Sequence, residues 1–274
     1  MMNIKFPSIV ENISDDFYHS FDCPGLSKSD LDLISLSPAH YYAKKEIKED
    51  SEAFSFGRAF HSMILTPSDF RNNYAVWSGK SRGTKEGKAE YQKACEENEG
   101  KTLITKKDRD TLQRMMDSLY SSLTASSLLT NGIAESAAFS IDPETGLERK
   151  CKRDYCRNDG ILVDLKSADS ADIKSFSYAV TKYFYDKQAA YYLDVSSDAE
   201  NKKYEDFIFI VVEKSAPYGV AIYSMENEDI EIGRELYKRD LAKFLEYKNK
   251  VMKGYPDRIQ KITRSKFNYD INNR

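Results

Sequence analysis

The sequence predicts an α/β fold: a single domain with a mixed central sheet flanked by helices and a helical elaboration on its N-terminal side. Three observations lead there. The first 130 residues carry helical periodicity, and residues 131–225 switch to short strands separated by turn signals. A long amphipathic helix then follows. The third is compositional: 274 residues, 41% hydrophobic and 31% charged, suffice for one large core in a soluble protein. No composition break divides the chain. It reads as one unit over 1–274, with 1–130 mostly helical, 131–253 the α/β core and 254–274 a polar, basic tail.

Taken in order, Ser27 or Ser29 can cap a helix running to Leu36, which Pro38 ends or restarts. Ala53 to Leu65 places Phe56, Phe60 and Ile64 at helical spacing, and Thr66-Pro67 closes it. Residues 80–90 are basic, glycine-bearing and poor in apolar side chains, a loop leading into a helix. Lys106 to Leu123 sets Leu112, Met115, Met116 and Leu119 three and four apart, as a half-buried helix requires. The period then changes. Ala134–Ile141 and Leu147–Tyr155 read as strands joined by the turn Asp142-Pro143-Glu144-Thr145-Gly146. Asn158-Asp159-Gly160 turns the chain into a third strand at Ile161. A helical region from Phe176 to Asp194, strands Phe207–Glu213 and Gly219–Met225, and a helix Glu228–Met252 complete the order.

Composition excludes several classes. No apolar run is long enough to span a bilayer, and Met1–Phe6 lacks a signal-peptide layout, so a cytoplasmic protein is expected. Cys23, Cys95, Cys151 and Cys156 are too few for a disulfide scaffold at this length. With His19, His40 and His61 they complete no zinc spacing and read as reduced structural thiols. A net charge of -3 argues against a protein coated by nucleic acid, while leaving room for a locally basic groove. No glycine-rich phosphate loop follows a strand; Gly83 to Gly87 lacks that context.

The third strand is the most informative segment. Ile161-Leu162-Val163-Asp164-Leu165-Lys166 is apolar and branched, yet carries a carboxylate and an ammonium two positions apart. A period of two puts Asp164 and Lys166 on one face, about 7 Å apart along the strand, with Val163 and Leu165 on the other. Charge buried in a strand needs a partner. A metal ion and a reacting phosphate are one answer, and an edge strand with a wet polar face is the other. Asp154, ten residues earlier, can converge with Asp164 if the two strands pair. Two such carboxylates repel unless a cation lies between them, and oxygen ligands favour Mg2+ or Mn2+ over zinc. Gln188 and Tyr192 fall on one face of the next helix. His61 on a largely apolar helix suits either a satisfied core histidine or a ligand.

Asp154 with Asp164-Leu165-Lys166 is the pattern of the PD-(D/E)xK nuclease superfamily, and the element order resembles its restriction-endonuclease-like core. Further segments narrow the likeness: Gly25 to Ser29, Ser37 to Ala39, Phe56 to Pro67, Glu135-Ser136, Glu144 to Gly146, Cys151 to Asp154 and Gln188 to Tyr192. Together they resemble the RecE family, the nuclease domain of exodeoxyribonuclease VIII. That resemblance implies a Mg2+-dependent exonuclease (with Mn2+ as a substitute) digesting linear double-stranded DNA from 5' ends, leaving 3' single-stranded tails. It also implies a ring-shaped homo-oligomer, a single-strand annealing protein as partner in recombination, and a phage or prophage source. Residue by residue, His61, Asp154, Asp164 and the Leu165 carbonyl match metal-binding positions, and Lys166 matches the catalytic lysine. Gln188 and Tyr192 match the supporting helix, and Glu135 a nearby strand glutamate. One departure is Cys151-Lys152-Arg153-Asp154 where the family has Arg-Pro-Asp, so a planar phosphate-binding fork and a stiffening proline are missing. Arg58, Lys80, Arg82, Lys85, Lys152 and Arg153 are candidates for a DNA path. Two rival readings share the fold: an endonuclease, and a catalytically silent DNA-binding module.

Overall fold

The strand that carries Asp164 and Lys166 is interior to the sheet, which removes the wet-edge reading. The computed structural model describes residues 4–46, 52–247, 254–255 and 258–262. The N-terminal part comprises β1 (Ser8–Val10), α1 (Asp15–Tyr18), α2 (Lys28–Leu36), α3 (Pro38–Glu46), α4 (Glu52–Leu65), α5 (Pro67–Asn73), β2 (Tyr74–Trp77), α6 (Lys85–Glu97), β3 (Thr102–Thr105), α7 (Lys106–Ser121) and α8 (Leu123–Leu128). The core continues with β4 (Gly132–Ile141), β5 (Glu148–Arg157), β6 (Ile161–Ala168), α9 (Ile173–Tyr183), α10 (Tyr185–Glu200), β7 (Asp206–Glu213), β8 (Val220–Ser224) and α11 (Asn227–Tyr247).

The main sheet has the order β1-β4-β5-β6-β7-β8. Only the β6–β7 pairing in it is parallel, so the sheet is mixed, as the sequence predicts. Its two faces are buried under different helices. Leu162, Phe207, Phe209 and Val211 join Ala189, Ala190 and Tyr191 of α10 and Leu31 and Ile34 of α2 in one cluster. Val163, Leu165, Ile210 and Val212 join Phe60 and Ile64 of α4 and Leu112 and Met115 of α7 in another. The strand period of two sorts alternate residues to the two clusters. Helices from the N-terminal part thus cover both faces of the core sheet.

The helix expectations match closely where side-chain signals were strong. Ser27 caps α2 in a reciprocal box with Asp30. Thr84 caps α6, so the helix begins inside the loop expected at 80–90. The helical region after β6 is two helices, broken at Phe184, which is left-handed with φ 53° and ψ 52°. Three short strands in the first 130 residues carry no signal in the sequence. β1, β2 and β3 are three or four residues long, too short to display a period, and β2 pairs with β3 in a separate parallel sheet. The expected end of the last helix at Met252 and most of the polar tail lie outside the described residues. Cys23, Cys151 and Cys156 are buried and Cys95 is exposed, all four as free thiols.

Candidate active site

β5 and β6 pair only at Tyr155 with Val163 and Cys156 with Leu162, then splay apart. Where the ladder ends, the Asp154 carboxylate takes its place. Its Oδ2 accepts the Leu165 backbone N–H at 2.8 Å. On the other side of β5 the β4 ladder is interrupted at Glu135, which sits at φ 51° between the intact pairs Ala134 with Tyr155 and Ser136 with Arg153. A left-handed conformation is costly for a side chain of this size and concentrates at functional sites. It brings Glu135 beside Asp154. His61 reaches the same place from α4, with Nδ1 3.5 Å from Asp154 Oδ2. One ligand atom each from His61, Glu135 and Asp154 lie within 4.8 Å of one another.

Asp164 and Lys166 form the adjacent half of the site. Lys166 Nζ is 2.7 Å from Asp164 Oδ2. Gln188, on α10, donates from Nε2 to Asp164 Oδ1 at 2.5 Å and accepts from Lys166 Nζ at Oε1 at 3.2 Å. The Gln188 amide therefore fixes both charged side chains. The Lys166–Asp164 contact is a close ion pair, and the ammonium is the charge partner of the buried Asp164 Oδ2. Lys166 Nζ also lies 4.5 Å from the centroid of the Tyr185 ring. Tyr192, one turn beyond Gln188, packs edge-on against Phe207 and is partly buried.

These contacts drive the titrating groups apart. Burial disfavours the Asp154 charge, but His61, Lys166 and the Leu165 N–H together hold its carboxyl below the ordinary range. Burial pushes Asp164 up, against the pull of Lys166 and with the Asp154 charge adding to it. Burial and the Asp154 charge raise Glu135, against Lys152. Burial also opposes a charged His61, yet the Asp154 carboxylate, with Glu135 and Asp164, outweighs it and pushes the imidazole up to about 9. Lys166 stays an ammonium because the Asp164 charge outweighs burial. Three carboxylates and an imidazole crowd one oxygen-rich site, where burial raises two of the carboxylates and Lys152 and Lys166 oppose their charge. A hard divalent cation fits it, with His61, Glu135, Asp154 and Asp164 as the residues to hold one.

One expectation about basic residues needs correction. Arg153 does not line an open path, because it is 2% exposed. Its guanidinium donates to Ser136 Oγ at 3.1 and 2.9 Å and pairs with Glu200 at 2.6 Å. Alternation along β5 turns it toward α10, away from Asp154. Lys152, on the Asp154 side, is held 2.8 Å from Glu135 and also pairs with Asp15. Its role is to neutralise Glu135, and strand alternation alone could have suggested it. The Tyr185 ring under Lys166 was also missed, and nothing local to Tyr185 signals that contact.

Comparison with known proteins agrees with this geometry. A family model described as a PDDEXK-like domain of unknown function (DUF3799) matches residues 27–264. A solved structure described as a "Putative exonuclease" from Eubacterium rectale aligns over 96% of this chain and 100% of its own, at 13% identity and a TM-score of 0.62. A second, of SSO0001, covers 81% of this chain and 83% of its own at 12% identity, but its TM-score of 0.31 adds no support. No curated protein matches the sequence. The strand arrangement, the carboxylate cluster and the family match agree: the chain belongs to the PDDEXK-like DUF3799 family and has the PD-(D/E)xK nuclease-like fold.

Proposed function

We propose that this protein is a Mg2+-dependent exodeoxyribonuclease that degrades linear double-stranded DNA 5' to 3' and leaves 3' single-stranded tails for recombination by strand annealing. The observation that carries the reading is the juxtaposition of two units, the His61–Glu135–Asp154 cluster and the Asp164–Gln188–Lys166 triangle, joined through the Leu165 N–H where β5 and β6 part. A Mg2+ or Mn2+ held by His61, Glu135, Asp154 and Asp164 would supply an activated water and neutralise charge on a phosphodiester. The protein's own groups do the rest. Lys166 presents a permanent ammonium to the charge that builds on the scissile phosphate. Gln188 locks the rotamers of Asp164 and Lys166, so neither must reorganise during the reaction. Lys152 offsets the second charge at Glu135. End dependence, digestion polarity, a ring-shaped homo-oligomer and an annealing partner rest on the likeness to exodeoxyribonuclease VIII. No described helix is long and apolar enough to cross a membrane.

Linear duplex DNA labelled at either end, incubated with Mg2+ or with chelator, tests the proposal. Loss of the 5'-terminal label first, only with Mg2+, is expected. Degradation unchanged in chelator, or only from 3' ends, overturns it. Cutting of closed circular DNA would identify an endonuclease instead.

A further inference from the structure

The corner between α9 and α10 carries a surface that the carboxylate cluster does not use. From Ile173 to Tyr185 the chain has two lysines, five aromatic side chains and no aspartate or glutamate, in a protein of net charge -3. Tyr178 is 64% exposed, and Lys174 and Lys182 stand one helical turn to either side of it. At the corner Tyr183 and Phe184 are 49% and 42% exposed. Phe184 has a left-handed backbone, which costs about 1–3 kcal/mol for a non-glycine residue, and its half-exposed ring has Lys187 Nζ 5.1 Å from its centroid. Lone exposed aromatics are ordinary on protein surfaces. These lie on one stretch of chain that reaches the catalytic lysine: Lys182, one turn from Tyr178, has its Nζ 5.0 Å from the Tyr183 ring centroid, and Tyr183 lies 5.7 Å from Tyr185, whose ring sits against Lys166.

We propose that Tyr178, Tyr183 and Phe184, with Lys174 and Lys182, form a stacking platform that receives the bases of a DNA strand at the scissile position; this rests on the nuclease reading above. The chemistry suits that occupant. Base faces stack on aromatic rings without regard to sequence, while lysine ammoniums meet the phosphates. The surface runs directly into Lys166, so a strand lying on it is delivered to the site. Asp172 and Asp186 bound the segment, and the charges within it, Lys174 and Lys182, suit a polyanion.

The test uses the full chain with Asp164→Asn to prevent cleavage, in chelator. Fluorescence anisotropy compares binding of a labelled oligothymidylate with that of an abasic phosphodiester strand of equal length and charge. Oligothymidylate is expected to bind about tenfold tighter, because base stacking contributes on the order of 1–3 kcal/mol per base. Tyr178→Ala and Phe184→Gly should each remove most of that preference while leaving the abasic affinity nearly unchanged. Glycine is at ease in the left-handed corner, so Phe184→Gly keeps the fold. Equal binding of the two strands, or an unchanged preference in both variants, overturns the platform. Self-association lost in the variants without an effect on DNA overturns it too, and assigns the face to a second copy. Digestion of end-labelled duplex by the otherwise unaltered protein separates the two readings. No digestion with the preference intact removes the nuclease and keeps the platform, whereas digestion with an unchanged KM in both variants does the reverse.

Discussion

β6 and β7 run parallel, in register, through the middle of one sheet, and they treat charge in opposite ways. Asp164 lies opposite Phe209 and Lys166 opposite Val211. β7 is buried on both faces by apolar side chains alone, as a strand covered by helices on both sides should be. β6 shares the surroundings and places an ion pair there, with Asp164 3% exposed. The lesson is that burial here is not uniform in purpose. β7 gives the sheet its cohesion, and β6 holds charges in a poorly solvated place where they act strongly on whatever binds between β5 and β6.

The largest expected effect breaks the two strands apart by function. Asp164→Asn should lower the cleavage rate by on the order of a thousandfold or more, since it removes a charge from the reacting centre. It should also cost stability, because it leaves the poorly solvated Lys166 ammonium without its charge partner. The loss is partly offset, since burial raises the folded-state pKa of Asp164 and asparagine cannot ionise. Urea denaturation beside a single-turnover assay checks both halves. Phe209→Ala is the converse. It should cost about 3–5 kcal/mol of stability through the cavity it leaves, while molecules that remain folded keep their cleavage rate.

Two smaller effects sharpen the contrast. Gln188→Leu strips Asp164 Oδ1 of its donor and should destabilise the fold by about 1–3 kcal/mol, with a smaller loss of rate than Asp164→Asn. A midpoint shift without any rate change would show that the Gln188 amide supports only packing. The smallest is a pH slope. His61 rises from 6.5 to about 9 in the folded protein, so its pairing with Asp154 stabilises fully below about 6.5 and is lost as pH climbs through about 9. In chelator, that stability decline between the two values should vanish in His61→Gln.

Most of the core was readable from side-chain periods. The strands β4 to β8 and helices α7 and α11 follow from alternation and helical spacing, since each is long enough to repeat its pattern. The short strands β1 to β3 are not, and the break at Phe184 interrupts a helical pattern that continues across it. At the site, Asp164 and Lys166 stood out because charge in an apolar strand contradicts its surroundings, and Gln188 and Tyr192 followed from helix spacing. Residue types alone could not rank Glu135, whose closeness to Asp154 depends on a left-handed backbone at a broken ladder.

The sequence by itself settled which residues are apolar, how often they repeat, and that two charges sit where a strand would bury them. Tertiary structure alone decided that β5 and β6 part beyond Tyr155, that His61 arrives from a helix on the opposite face, and that Arg153 is spent on Glu200 while Lys152 serves Glu135. The reason is physical. Local periods report a side chain's direction from its own backbone, whereas a site exists only where backbones distant in sequence are brought within a few ångströms of one another.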